Sequence, residues 1–262
     1  MRIDIHAHFL PESLEDQIRN RAGAAGPVAN MRDSLSNLNV RLADMTERGI
    51  DIELVSPAPW TINSAPTNVT LVNNEISKAI APHPERLIGL AGVSMQEPEE
   101  AARELERCVK ELGFRGCEIL TNVHSENLHE RRFFPFYKKL AELNVPAFVH
   151  PANVLGADRL KPFFLNNLIG NPTDTAVAAA SLIFGGVLAE LPTLKFVLAH
   201  GGGTCPLLRG RWEHAWELHL VEDSMISRPP SEYFRKLYFD TLTHSTQALN
   251  SLVEQVGADR VM

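Results

Sequence analysis

The sequence predicts an α/β protein, a (β/α)8 TIM barrel in which parallel strands alternate with helices. Three observations carry that prediction. Short apolar runs alternate with helix-period stretches along the whole chain. The runs are nearly continuous in apolar character, as in strands covered on both faces. Eight of them, the eighth cut short, fall within 262 residues, about the size of one barrel. No Gly-x-Gly-x-x-Gly follows the first strand, which removes the main argument for a dinucleotide-binding sheet. Without an internal repeat or linker, residues 1–262 read as one domain, C-terminally incomplete.

Taken in order, Ile3 and Ile5 alternate with Asp4 and His6 in an opening strand that runs towards Pro11. Side chains two apart on a strand share a face, so His6 and His8 project together near its end. Residues 11 to 35 read as a long loop with a short helix. Leu38, Leu42 and Met45 space a helix over 38–48, stopped by Gly49. A strand over 50–56 ends at Pro57-Ala58-Pro59. Val69, Val72, Ile76 and Ile80 mark a helix over 68–81, closed by Pro82 and Pro84. After a strand over 86–93, Glu97-Pro98-Glu99-Glu100 opens a helix with an early proline and first-turn acids. Gly113 ends that helix. Strands then follow at 116–120, 146–150, 194–200 and 237–242, separated by helices at 133–143, 174–190 and from about 206. A helix over 247–256 precedes Arg260-Val261-Met262, the start of the eighth strand.

Composition narrows the partners. A net charge of −7 without a basic run argues against nucleic acid and anionic membrane. No stretch approaches the roughly 20 apolar residues of a membrane span. A strand that starts at residue 3 leaves no room for a signal peptide. Cys108, Cys117 and Cys205 lack Cys-x-x-Cys spacing, which points to reduced thiols in the cytoplasm.

Chemistry gathers at strand ends. Two imidazoles on one strand face can grip a divalent metal. In a barrel the active site forms at the C-terminal ends of the strands. His6 and His8 end strand one, His150 ends strand five and His200 ends strand six. His83, His124, His129, His214 and His219 lie on helices or in loops and read as ordinary surface or packed residues.

Met1-Arg-Ile-Asp-Ile-His-Ala-His-Phe-Leu-Pro11, Phe148-Val-His-Pro151 and Leu198-Ala-His-Gly-Gly-Gly203 resemble the amidohydrolase superfamily, and within it the aminocarboxymuconate-semialdehyde decarboxylase branch. The resemblance covers nearly the whole chain, including Glu104-Leu-Glu-Arg-Cys-Val-Lys-Glu-Leu-Gly-Phe114 and Ile183-Phe-Gly-Gly-Val187. It implies that His6, His8 and His150 bind one divalent ion, zinc or alternatively manganese. It makes His200 the acid/base residue beside the metal and its water. Arg211 would hold a substrate carboxylate, reaching into a neighbouring subunit's site, with Arg209 a close competitor. Arg32, in the loop after strand one, is the candidate for a second substrate-binding arginine. A homodimer or higher homo-oligomer follows from that role of Arg211.

Two departures stand out. The family's remaining ligand, an aspartate on strand eight, lies beyond Val261-Met262; the sequence reads as incomplete, because a barrel without one strand leaves unpaired edges. Ala152 and Asn153 stand where the semialdehyde decarboxylase carries a tryptophan, which loosens the assignment to that one substrate. Asp240 and His244 can line the pocket, although Asp240 reads first as a polar strand end. Strand four carries Glu118 and no lysine, so one metal is expected, with Glu118 an ordinary polar strand residue. The expected activity is metal-dependent, non-oxidative decarboxylation of a small carboxylated substrate, 2-amino-3-carboxymuconate 6-semialdehyde or an ortho-hydroxy aromatic acid. The alternative is a hydrolase or hydratase acting on a lactone, cyclic amide or related small acid.

Overall fold

Strand β1 (Ile3–Phe9) is built as its alternation predicts, and it pairs in parallel with β2 (Ile52–Pro57), which pairs in parallel with β3 (Leu87–Gly89). The computed structural model describes residues 1–12, 14, 35–63 and 65–262. Arg32 and most of the expected 11–35 loop lie outside the described residues. The chain divides into two compact units, residues 1–118 and 119–262.

In the first unit the β1–β2 register shifts between Asp4 and Ala7, where β1 spends one residue more than its partner. The Asp4 carboxylate accepts from the His6 N–H there, at 2.9 Å. Past the shift, His8 stands opposite Ser56. Helix α1 (Leu38–Arg48) has the predicted boundaries: Asn37 caps its start by accepting from the Asn39 and Val40 N–H groups, and Gly49 closes it at φ 66°. Its buried positions are Arg41 and Met45, not the expected Leu38 and Leu42. The reason is an ion pair described below. A single turn, α2 (Pro59–Ile62), and α3 (Pro66–Ile80) follow, with Val69, Val72, Ile76 and Ile80 buried as spaced.

The expected strand over 86–93 is two short pieces, β3 and β4 (Ala91–Gly92). Each piece serves a different neighbour: Leu90 N–H bonds Val55 O, while Ala91 N–H bonds Gly116 O. β4 thus pairs in parallel with the start of β5 (Cys117–Leu120). Helix α4 (Pro98–Lys110) buries Ala101, Leu105 and Cys108 and opens on Glu99 and Glu100.

In the second unit β6 (Asn122–Val123) and β7 (Glu126–Asn127) form an antiparallel hairpin that periodicity did not signal, its turn made by His124 and Ser125 at positive φ. Helix α5 (Phe134–Leu143) leads to β8 (Ala147–His150). β9 (Phe196–Leu198) lies between β8 and β10 (Tyr238–Phe239), all parallel. The last two are shorter than the expected 194–200 and 237–242. The expected helix over 174–190 starts earlier and breaks into α6 (Asn171–Phe184) and α7 (Val187–Glu190). Gly186 at φ 75° ends the helical path, and the His129 side chain packs where a Gly185 Cβ would sit. Helices α8 (Cys205–Glu217), α9 (Pro230–Phe234) and α10 (Thr246–Val256) follow. Val261 bridges Phe239 in parallel and Met262 N–H bonds Phe239 O at 2.8 Å, so the eighth strand begins where predicted. The unit's core is aromatic: Phe136, Tyr137, Phe196, Phe234 and Phe239 are fully buried.

Candidate active site

Each unit presents histidines at the C-terminal end of a parallel strand. In the first, the His6 and His8 rings meet edge to face with centroids 5.2 Å apart, as the same-face prediction requires. His8 is fixed from two directions. Its Nδ1 lies 3.1 Å from the Ser56 hydroxyl and 3.5 Å from a carboxylate oxygen of Glu118. Its carbonyl accepts from Arg41 at 2.5 Å. Arg41 is itself buried and donates to Glu53 at 2.6 Å, which explains why a charged residue occupies the inner face of α1. Burial raises the Glu53 carboxyl above its ordinary value, and Arg41 pulls the other way.

Glu118 is fully buried on β5. Desolvation pushes its carboxyl up to about 8, against the pull of Ser56. A carboxylate placed without solvent beside a histidine is more than the ordinary strand polarity that sequence suggested.

In the second unit, His150 ends β8 and is buried, and its ring centroid stands 5.1 Å from that of His200. His200 opens a tight turn, His200–Gly202, just past β9, with φ 58°. Gly201, Gly202 and Gly203 continue at φ 60°, 77° and 60°. A side chain at Gly203 would collide with the Pro172 backbone, and one at Gly202 would come within 2.8 Å of Phe239. The triple glycine is therefore a packing and backbone requirement that lets His200 sit in this turn. Asp240 fastens the turn: its two carboxylate oxygens accept from His200 N–H at 2.9 Å and Gly201 N–H at 2.6 Å. The sequence reading treats Asp240 as a polar strand end; the structure buries it as the anchor of the His200 backbone.

A second buried carboxylate, Asp174 in the first turn of α6, accepts from the Thr121 hydroxyl, from Asn122 at 2.9 Å and from Leu155 N–H at 3.1 Å. Asn122 also donates to Asn153 O at 2.6 Å. The loop after His150, where Ala152 and Asn153 stand, is thus tied to α6. Arg211 is exposed on α8, while Arg209 donates to Gln255 O at 3.4 Å. Arg41, Ser56 and Asp174 carried no sequence signal, because their partners are set by cross-strand register and helix docking.

The donor chemistry fits a divalent ion. Inside the first unit, His6 and His8 present imidazole nitrogens from the same face of β1, and Ser56 and Glu118 stand on the Nδ1 side of His8 as oxygen groups of the kind that orient a ligand ring.

The chain matches the amidohydrolase family model over residues 3–262. It is 32% identical over 287 residues to 2-amino-3-carboxymuconate-6-semialdehyde decarboxylase of Dictyostelium discoideum, covering 100% of this chain and 80% of that protein. It is 32% identical over 279 residues to gamma-resorcylate decarboxylase of Polaromonas sp. strain JS666, covering 98% and 81%. Among solved structures, the dihydroxybenzoic acid decarboxylase of Polaromonas sp. JS666, with bound manganese and the inhibitor 2-nitroresorcinol, superposes with a TM-score of 0.86 at 29% identity, over 100% of this chain and 84% of that one. The shared fold is the α/β barrel that alternating strands and helices predicted. The chain belongs to the amidohydrolase family.

Proposed function

We propose that the protein is a metal-dependent, non-oxidative decarboxylase of a small carboxylated substrate, either 2-amino-3-carboxymuconate 6-semialdehyde or an ortho-hydroxy aromatic acid. The observation that carries this reading is the His150–His200 pair on an Asp240-anchored turn, in a chain similar throughout to two decarboxylases.

In this reading His6, His8 and His150 are the donors for one divalent ion. Three imidazoles favour zinc; the manganese in the dihydroxybenzoic acid decarboxylase supports manganese as the alternative. The ion supplies positive charge that steadies the negative charge growing on the substrate as its bond to the carboxylate weakens. Arg211 and Arg32 bind and orient the carboxylate; a guanidinium fork suits this because it meets both oxygens. When that C–C bond breaks, its electron pair stays on the substrate carbon and carbon dioxide leaves. His200 delivers the proton that completes the new C–H bond. The fixed backbone of His200 keeps that proton within reach of one carbon.

One domain over 1–262 and a homo-oligomer complete the proposal. Arg211 is exposed on α8, as a residue that serves a partner's site must be. Leu155, Phe163, Leu168 and Ile169 are exposed apolar residues of the second unit, side chains of the kind that a protein contact covers. The cytoplasm is the proposed compartment, supported by three buried free cysteines. Among the described residues no helix is long and apolar enough to cross a membrane.

The test is a panel of aminocarboxymuconate semialdehyde, hydroxybenzoates and lactones given to the full-length protein. Carbon dioxide released from a carboxylated member is the expected result. Opening of a lactone without carbon dioxide would replace the proposal with hydrolysis.

A further inference from the structure

We infer that Asp174 is a positioning residue: from the first turn of α6 it fixes the loop that leaves His150, and so sets the separation of the His150 and His200 rings. The inference deepens the reading of these two histidines as site residues, and rests on that reading only for its effect on catalysis.

Three observations within the second unit carry it. Asp174 is almost wholly buried, and both of its carboxyl oxygens are engaged. One accepts from Leu155 N–H at 3.1 Å, the other from Asn122 at 2.9 Å and from the Thr121 hydroxyl. These donors stand on both sides of His150. Thr121, next after β5, gives its own N–H to His150 O at 3.2 Å, and Leu155 closes the loop that follows His150. Asn122 adds a bond to Asn153 O inside that loop, at 2.6 Å. A single carboxyl group therefore gathers the residue that grips the His150 carbonyl and the far end of the next loop. The same helical turn bears the His200 side. Pro172 O accepts from Thr204 N–H at 3.1 Å, and Gly203 packs on the Pro172 backbone without room for a side chain. Asp174 thus holds one histidine and Pro172 the turn of the other, through one stretch of helix. That makes the 5.1 Å between the ring centroids a property of α6 as much as of the strands. An amide at position 174 could not do the same, because it keeps one acceptor and turns the other into a donor facing N–H groups. Buried donors left unpaired draw the loop towards water.

A carboxyl group that only braces α6 is the rival account, and the experiment separates the two. It uses the full-length protein, Asp174→Asn, the conservative Asp174→Glu, and Thr121→Val, which removes a single donor. Hydrogen exchange reports the Leu155 amide, crystal structures report the ring separation, and kcat and KM are measured separately on the metal-loaded enzyme. In Asp174→Asn the Leu155 amide should exchange about 10-fold faster, the loss of one hydrogen bond, while amides in the middle of α6 keep their rates. The ring separation should change by about 1 Å, and kcat should fall about 100-fold with KM little altered. Asp174→Glu and Thr121→Val should shift in the same direction by less.

Unchanged protection of Leu155 in Asp174→Asn would overturn the inference. So would a released loop with the ring separation kept, or a raised KM with kcat kept. If Asp174→Asn does not fold, Thr121→Val decides by the same readouts. A wild type that releases no carbon dioxide from any substrate would end the decarboxylase reading, and exchange and ring separation would then decide this inference alone.

Discussion

Arg41 shows how a single residue ties stability to the site. Its guanidinium pairs with Glu53, both of them buried, and grips the His8 carbonyl. Removing one partner of a buried pair leaves an uncompensated charge, a loss of about 3–5 kcal/mol. Arg41→Met should therefore lower unfolding stability in urea by that amount, and an unchanged midpoint would mean that Glu53 is solvated. Glu104 offers a pH test. Burial alone would raise its carboxyl, but hydrogen bonds from Arg107, Asn73 and Cys108 outweigh this and hold it below the ordinary 4.5. A depressed carboxyl stabilises above its unfolded value, and that contribution fades as pH falls through the folded value. Glu104→Gln should melt lower than wild type at neutral pH, and the gap should close as pH falls below 4.5 and through the lowered folded value. A gap independent of pH would contradict the assignment. The placement of the four histidines at strand ends was readable because the apolar runs mark where the strands stop. Arg41, Ser56 and Glu118 were not, because their roles arise from β1–β2 register and from contacts between strands far apart in sequence.

Elements were legible where one local rule decided them. Helix α1 has the predicted ends because Asn37 and Gly49 are chemical caps. The predicted 174–190 helix broke at Gly185-Gly186, where packing against His129 overrode an alanine-rich helical pattern. The β6–β7 hairpin has strands of two residues each, too short to show alternation. The turn after β9 yields a paired prediction. Gly113 and Gly203 both have positive φ, but a side chain at Gly113 meets nothing within 4 Å, whereas one at Gly203 strikes the Pro172 backbone. Gly113→Ala should cost about 1–2 kcal/mol from φ alone. Gly203→Ala should cost clearly more in thermal melts and should also depress kcat by moving His200. Equal melting shifts for the two would show that the turn can relax away from Pro172.

At the scale of the whole molecule, the proposed cross-subunit role of Arg211 has its own test. On that proposal, Arg211→Ala and His200→Ala should each be inactive alone, yet regain activity when mixed and allowed to exchange subunits. Failure to complement would place Arg211 in its own subunit's site or outside catalysis. The barrel was legible from strand–helix alternation because periodicity persists over the whole chain. Substrate identity was not, because Ala152 and Asn153 differ from the semialdehyde decarboxylase pattern without naming what they admit. The central claim is that this site releases carbon dioxide by a metal-dependent reaction with His200 as proton donor. The most direct measurement is carbon dioxide release by the full-length protein from its best carboxylated substrate, with and without a chelator, beside His200→Ala. Release that a chelator abolishes, that added manganese or zinc restores, and that falls at least about 100-fold in His200→Ala is predicted. Release that survives both the chelator and the substitution would contradict the account.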